Sequence, residues 1–337
     1  MWKNAPTGPF TLRLACKMGR EHVPKGLLLL RDNILERGGL FTPRIRSSWA
    51  EGLDLPREGE RLLFAGCGYQ LLGETSLLLS AASRGEEMGM EWERALDLFS
   101  PLVGVGMRAT ELLLAFRGDN TSPLRAAVRV LEGMGYEVAY LGEEEPCCGG
   151  PLYFAGFRRE FEGVKERLRE ALLRSGSREV IGAVPSCTYA IKELAQVPLE
   201  VKHLVEVYAE GMGGGRWRLP EPKKVVYHDP CILARYLGVV EEPRRVLEAI
   251  EGVELVEAPL SREWATCCGG GGGFEFVFPQ VSLLLAKKRA EELVGTGAEV
   301  IVTACPGCLI QLRKGVKALG SSAEVLDMSE ILLEAQA

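Results

Sequence analysis

Strands alternate with helices in the same order twice, which predicts an α/β chain of two tandem Rossmann-like repeats, each a parallel sheet with helices on its faces. Two observations carry this reading. Short apolar runs rich in Val, Ile and Leu recur at 61–64, 180–184, 224–227, 253–258 and 300–303, with helical stretches between them. Nine of the ten cysteines obey one pattern written twice, and Cys67, Cys187, Cys231 and Cys305 each follow a predicted strand. Sites in such sheets form beyond the carboxyl ends of the strands, so each half is expected to gather its thiols at one edge.

Residues 1–60 read as an appendage with one amphipathic helix over 25–37, ended by Gly38-Gly39. The segment 61–67 is a short buried strand that delivers Cys67. Residues 68–120 hold helical stretches around 72–82 and 107–116 and read as an insertion. Ser122 as N-cap and Pro123 as first helical residue start the next helix, which Gly133 and Gly135 close. A strand is expected at 136–141, then Cys147-Cys148-Gly149, a helix over 161–173, a strand at 180–184 and a turn holding Cys187. A last helix and strand end near Val205, and the linker runs from Gly211 to Pro222. The second half repeats the order: strand 224–227, Cys231, helix 243–250, strand 253–258, Cys267-Cys268-Gly269, helix 281–294, strand 300–303 and Cys305. The tail 325–332 mirrors 201–207. The expected units are therefore 1–60, a degenerate repeat at 61–215 and an intact one at 216–337.

A chain of 337 residues, 47% hydrophobic and 26% charged, can bury full cores in two domains. The net charge of −6 gives no electrostatic footprint for nucleic acid or anionic lipid. The first residues carry no apolar stretch of signal-peptide length, and no apolar run approaches the roughly 20 residues of a spanning helix. A cytoplasmic location is expected, where cysteines are metal ligands or redox groups more often than disulfides.

The complete cysteine set is Cys231, 35 residues, Cys267-Cys268, 36 residues that begin with Gly269, then Cys305-Pro306-Gly307-Cys308. The first set is Cys67, 79 residues, Cys147-Cys148-Gly149, then Cys187; alignment places Val184 where the second half has Cys305. Soft thiolates in this number point to iron and sulfide. Five are one more than a cubane needs, and adjacent cysteines have little freedom to reach two corners of one cube. An extra thiolate would bridge two irons or open the cluster. The glycine run that begins with Gly269 and Gly270, and Gly149 in the first half, let the backbone approach an inorganic centre and aim N–H groups at its sulfurs. Such donors raise the reduction potential. A structural zinc site is the alternative, but zinc takes four ligands from spaced pairs, and a central Cys-Cys is foreign to it.

His228 stands three residues before Cys231. It is expected to donate a hydrogen bond to a sulfide or a proton to a product thiolate, or to brace the loop with Asp229. His22 and His203 read as surface or packing residues. No nucleophilic triad or paired-carboxylate motif stands out, and the glycines at 211–215 lack the Lys-Ser/Thr of a phosphate loop.

These phrases resemble a family. Tyr227-His228-Asp229-Pro230-Cys231, Cys267-Cys268-Gly269 with its glycine run, Thr303-Ala304-Cys305-Pro306-Gly307-Cys308, and in the first half Phe64-Ala65-Gly66-Cys67 and Pro146-Cys147-Cys148-Gly149, are similar to the cysteine-rich CCG domain. That domain occurs in the B-type component of heterodisulfide reductase, in its D-type relatives and in the iron–sulfur components of glycolate and lactate oxidases. The resemblance covers about 61–337. It implies a noncubane [4Fe–4S] cluster on Cys231, Cys267, Cys268, Cys305 and Cys308. Cys67, Cys147, Cys148 and Cys187 suffice for a second, four-ligand iron–sulfur cluster, or are relics in a scaffold. Ala15-Cys16-Lys17-Met18-Gly19 and His22-Val23-Pro24 resemble the tail of a two-cluster ferredoxin module whose cysteine runs are absent, so Cys16 is expected to bind nothing. The resemblance therefore implies a separate ferredoxin-type subunit, a flavin-containing subunit and a small disulfide substrate. The other function it implies is a non-catalytic relay from a flavin dehydrogenase to a quinone-linked acceptor.

Overall fold

The structure, a computed structural model, describes residues 23–39, 43–70, 72 and 123–336. In the first half α1 (Lys25–Arg37) and α2 (Pro43–Ser47) precede β1 (Arg61–Phe64) and α3 (Gly66–Gln70). After them come α4 (Pro123–Gly133), α5 (Gly150–Phe154), α6 (Arg158–Arg174), β2 (Glu179–Gly182), α7 (Pro185–Tyr189), β3 (Glu200–His203) and α8 (Leu204–Gly211). The second half runs β4 (Arg218–Tyr227), α9 (Glu242–Glu248), β5 (Glu251–Val256), α10 (Phe274–Val277), α11 (Pro279–Val294), β6 (Val300–Thr303), α12 (Pro306–Leu319), β7 (Glu324–Asp327) and α13 (Met328–Ala335). Cys16, His22, Ser122 and nearly all of the expected insertion lie outside the described residues.

Two sheets form, β1-β2-β3 and β5-β4-β6-β7, and every strand pairing is parallel. The fold class is thus the expected α/β repeat. The strands read as continuous apolar runs because helices cover them; β6 is buried at all of its positions. The sheets match strand for strand, with β1, β2 and β3 standing as β4, β6 and β7 do. The place of β5 is taken in the first sheet by a single parallel bridge, where the Ala139 N–H donates to Arg61 O and the Leu63 N–H to Ala139 O, each at 2.8 Å. The expected strand at 136–141 is therefore one bridge: the Tyr140 N–H is diverted to Pro56 O at 2.8 Å and the chain then turns at Gly142–Glu144.

Two other expectations need correction. Cys187 lies within α7, not in a turn. The linker is shorter than expected, because β4 begins at Arg218 and takes in Pro220 and Pro222. Proline cannot donate to a ladder, and β4 tolerates it here because β6 pairs only with Val225, Val226 and Tyr227, which leaves the early part of β4 open on that side.

The last strand of each sheet runs straight into a capped helix. His203 caps α8 with Glu206, and Asp327 caps α13 with Glu330, the reciprocal box that satisfies orphan N–H groups at each helix N-terminus. α4 packs on α13, and the repeat-related α9 packs on α8. One apolar core consequently runs through both halves, from Leu62 and Phe64 to Val225, Tyr227, Ile331 and Leu332. Each fully buried aliphatic side chain in it contributes about 1.5–3 kcal/mol.

Candidate metal centre

β4 and β6 are parallel neighbours, so the loops that follow them open at one edge of the second sheet. Cys231 enters from the first loop and Cys305 from the second, with Cys308 one turn into α12. Cys267 and Cys268 come from the loop between β5 and α10. Cys268 Sγ lies 3.2 Å from Cys308 Sγ. Burial first, then Cys268 and Cys305, push the Cys231 thiol up to about 12. Hydrogen bonds with Cys268 and then Cys305, followed by burial, push Cys308 up as well. Cys268 is pulled down by hydrogen bonds from Cys267 and Cys308 and, less strongly, by the neighbouring His228 ring. Five sulfurs thus crowd one another in a way that like-charged thiolates resist and a cation relieves. Cys268 and Cys308 are buried, Cys231 and Cys305 half-buried, and Cys267 is exposed.

The Gly269 N–H points at Cys267 Sγ, 3.3 Å away. Gly269 sits at φ +87°, and a Cβ there would lie 2.4 Å from Ser282 O, so only glycine lets this loop press on α11. Gly270 is wedged between Gln311 and Gly307, where a Cβ would come 3.0 Å from Gln311 Cγ. Further along, the run serves α10: the Gly271 N–H donates to Glu275 at 2.9 Å and Gly273 is its left-handed cap.

His228 is 1% exposed and brings a ring nitrogen within 4.8 Å of the Cys268 and Cys308 sulfurs. Its Nδ1 accepts from Arg289 Nε at 3.1 Å, while its Nε2 has no hydrogen-bond partner among the described residues. A guanidinium only donates, so Nδ1 is bare and Nε2 carries the proton. The bracing partnership with Asp229 does not form. Asp229 instead holds Arg244 through two bonds of 2.8 and 3.0 Å and accepts from the Arg262 N–H at 2.8 Å. Sequence reasoning misses both Arg289 and Arg244. Arg289 lies within the expected helix at 281–294 and belongs to no motif there. The available signal is its spacing, since Ser282, Ala286, Arg289 and Leu293 follow the buried stripe of α11.

The first half assembles its thiols likewise. Cys148 Sγ is 3.1 Å from Cys187 Sγ, and hydrogen bonding with Cys147, then burial, pushes Cys67 up. The Gly149 and Gly150 N–H groups point at Cys147 and Cys148, each 3.4 Å from sulfur. A Cβ on Gly66 would lie 2.8 Å from Cys187 Sγ and 2.9 Å from Val184 Cγ2, so Val184 occupies the same pocket as Cys187. Glu145 holds the loop before Cys67, accepting from the Ala65 and Gly66 N–H groups at 2.8 and 3.0 Å. The two sets are neighbours. A Cβ on Gly68 would lie 2.7 Å from Pro306 Cγ, and the rings of Tyr189, two residues after Cys187, and Tyr236, five after Cys231, meet at 5.3 Å. His203 plays no part here. Its Nε2 bonds Ala183 O at 3.1 Å, and burial pushes it down to about 3.

Parallel α/β lobes with thiols gathered at strand ends define a metal–thiolate redox class. The chain matches the model of the CCG cysteine-rich domain at residues 113–192 and 225–313, together half of its length, and it belongs to that family. It is 36% identical over 221 residues to the D-type component of a dihydromethanophenazine:CoB–CoM heterodisulfide reductase from Methanosarcina barkeri, covering 62% of this chain and 54% of that one. An EtfAB:quinone oxidoreductase of Syntrophomonas wolfei is 33% identical over 62% of this chain and 31% of its own length. Lactate utilization protein A of Oceanobacillus iheyensis is 28% identical over 61% of this chain and 87% of its own. The chain spans about half the length of the heterodisulfide reductase components it matches. Family and relatives support an iron–sulfur redox protein.

The residues present fit such a group. The soft donor set suits iron, and the orphaned, buried His228 Nε2 needs an acceptor that a sulfide or a bound thiolate provides. Among the described residues, no helix is long and apolar enough to cross a membrane.

Proposed function

We propose that this chain is the iron–sulfur subunit of a cytoplasmic heterodisulfide-reductase-like complex, which takes electrons from a ferredoxin-type or flavin-containing partner and reduces a disulfide. Cys231, Cys267, Cys268, Cys305 and Cys308 hold a noncubane [4Fe–4S] cluster in this reading, and Cys67, Cys147, Cys148 and Cys187 hold a second, four-ligand one. When bound, such a cluster would supply the one-electron transfers that a two-electron reduction needs. The balance is one disulfide, two electrons and two protons to two thiols. The observation that supports the reading is the buried group of His228, Cys268 and Cys308 within 4.8 Å of one another, with Cys231, Cys267 and Cys305 near enough to interact electrostatically with it. Cys267 is the exposed sulfur, and a cleft of about 310 Å³ lined by Arg235, Trp264, Leu285 and Lys288 opens beside it, which suits entry of a substrate or approach of a partner. His228 orients whatever accepts its N–H. The two halves form tandem repeat domains, 61–215 and 216–337, each with its own thiol edge.

Anaerobic purification with iron and sulfide quantification, electron paramagnetic resonance, and turnover of small disulfides with a reduced viologen dye test this. Iron with disulfide-dependent dye oxidation is expected, and a colourless zinc protein would overturn it. A second reading is favoured by the 87% coverage of lactate utilization protein A. There the chain relays electrons from a flavin dehydrogenase to a quinone-linked acceptor, and an iron-loaded protein inert to every disulfide would select it.

A further inference from the structure

His228 and Arg289 form a buried polar pair, 1% and 0% exposed, directly behind the C-terminal thiols. Leaving such groups away from water is costly unless each is bonded. Arg289 shares the two hydrogens of Nη1 among Glu292 at 2.8 Å, Leu260 O at 3.1 Å and Thr266 Oγ1 at 3.2 Å, while Nη2 has no partner among the described residues. Its Nε–H is thereby aimed at His228 Nδ1, 3.1 Å away. The ring is anchored through its own backbone, whose N–H donates to Val302 O at 2.8 Å and whose carbonyl accepts from Thr303 Oγ1 at 3.2 Å. Neither tautomer nor ring orientation is left free.

The repeat supplies an independent observation. Phe64 stands three residues before Cys67 as His228 stands three before Cys231. β2 and β6, with the helices before and after them, match at a constant offset, which sets Leu168 of α6 opposite Arg289 of α11. Phe64 and Leu168 are 1% and 0% exposed. Both members of the pair are polar in one half and both are apolar in the other, as expected of two residues that act together.

We propose that Arg289 is a positioning residue for the C-terminal centre: by occupying His228 Nδ1 it fixes the Nε2–H tautomer and presents that N–H to a sulfur of the bound group, raising its reduction potential. This rests on the reading that Cys231, Cys267, Cys268, Cys305 and Cys308 hold an iron–sulfur group. An N–H donor stabilises the more negative reduced state, so losing it lowers the potential. Without Arg289 the ring is free to take the Nδ1–H tautomer, with a bare Nε2 facing the sulfurs.

The test is a double-mutant cycle on the midpoint potential of the C-terminal centre in the full chain, with iron counted in every sample. Arg289→Leu and His228→Phe are each expected to lower the reduced-to-oxidised ratio at a fixed potential about tenfold, which is 59 mV for one electron. The double variant, which recreates the Phe64–Leu168 pair, is expected to fall no further than His228→Phe alone. Arg289→Lys, which keeps a donor for Nδ1, is expected to stay closer to the wild-type potential than Arg289→Leu does. Electron–nuclear double resonance of the reduced protein in light and heavy water should show an exchangeable-proton coupling that His228→Phe removes and Arg289→Lys retains. Additive shifts, no shift in iron-replete Arg289→Leu, or a proton coupling untouched by His228→Phe overturns the proposal while leaving the cluster in place. Absence of iron from the wild-type protein overturns the underlying reading instead. If Arg289→Leu does not accumulate as folded protein, the proton coupling in wild type against His228→Phe decides.

Discussion

The two halves present matching sulfurs at the corresponding edges of their sheets, four in the first half and five in the second, yet the surroundings differ. Behind the C-terminal thiols lie His228, Asp229, Arg244 and Arg289, all buried and bonded to one another or to the loops. At the matching places the N-terminal half has Phe64, Ala65 and Leu168, and the buried residues of α4, the counterpart of the helix that carries Arg244, are all apolar. Val184 takes the place of Cys305. Ligand loss thus goes with a different shell, in which buried Arg46, Gln70 and Glu145 stand behind the N-terminal thiols. The N-terminal loop is instead held by Glu145, whose carboxyl burial pushes up to about 7, against the backbone before Cys67. Buried ion pairs are poor sources of stability in themselves, so the Asp229–Arg244 pair behind the C-terminal thiols points to a demand other than stability.

The sharpest way to break this comparison is to remove a sulfur from one side only. Cys268→Ala is expected to abolish the C-terminal paramagnetic signal and disulfide turnover together, as is Cys267→Ala, with any N-terminal signal unmoved. Full iron content in either variant would defeat the assignment. Cys16→Ala is expected to change neither.

Next in size is the shell. Arg244 is 3% exposed at its side chain and Asp229 1%, so Arg244→Ala strands a buried carboxylate. A loss of about 3–5 kcal/mol in chemical denaturation is expected. No N-terminal substitution within α4 carries an equivalent electrostatic penalty, and a change under about 1 kcal/mol for Arg244→Ala would mean that the network is relaxed by water.

Val184→Cys sharpens the comparison from the other direction. With Val184 beside Cys187 in the Gly66 pocket, a fifth thiol completes the pattern of the second half. Reconstituted protein is expected to gain iron or to change its N-terminal spectrum while the C-terminal signal stays fixed. Unaltered iron and spectra would show that the N-terminal half no longer behaves as a copy.

A further effect concerns the paired caps. His203 caps α8 where Asp327 caps α13, and burial holds His203 down to about 3. An unfolded histidine titrates near 6.5, so between about 6.5 and 3 the unfolded chain binds the extra proton. The His203 contribution is therefore complete above pH 6.5 and is lost as pH falls through that window. Denaturant midpoints of wild type should drop on acidification more than those of His203→Asn, which keeps a capping oxygen without the titration. Parallel midpoints from pH 7 to pH 4 would remove His203 from the account.

Much of this is legible in the sequence, for physical reasons. β1, β6 and α1 fall where periodicity, Gly38 and the apolar runs put them, because local pattern and burial agree there. The thiol sets are legible because parallel strands must bring Cys231 and Cys305 to one edge. The segment 136–141 misleads, since its alternation suits a strand while the Pro56 carbonyl takes the Tyr140 N–H, a partner distant in sequence. β4 reads as too short because its two prolines argue against a strand unless one flank is open, and only the sheet order reveals that flank. Arg289 and Arg244 stay hidden because a cation on a helix reads as solvated until the partner that buries it is known.

The most direct measurement is an anomalous difference map at the iron edge from crystals of the anaerobically purified full chain. The account predicts a multinuclear iron peak enclosed by the sulfurs of Cys231, Cys267, Cys268, Cys305 and Cys308, with the His228 ring beside it. A single tetrahedral metal, or iron confined to Cys67, Cys147, Cys148 and Cys187, would contradict it.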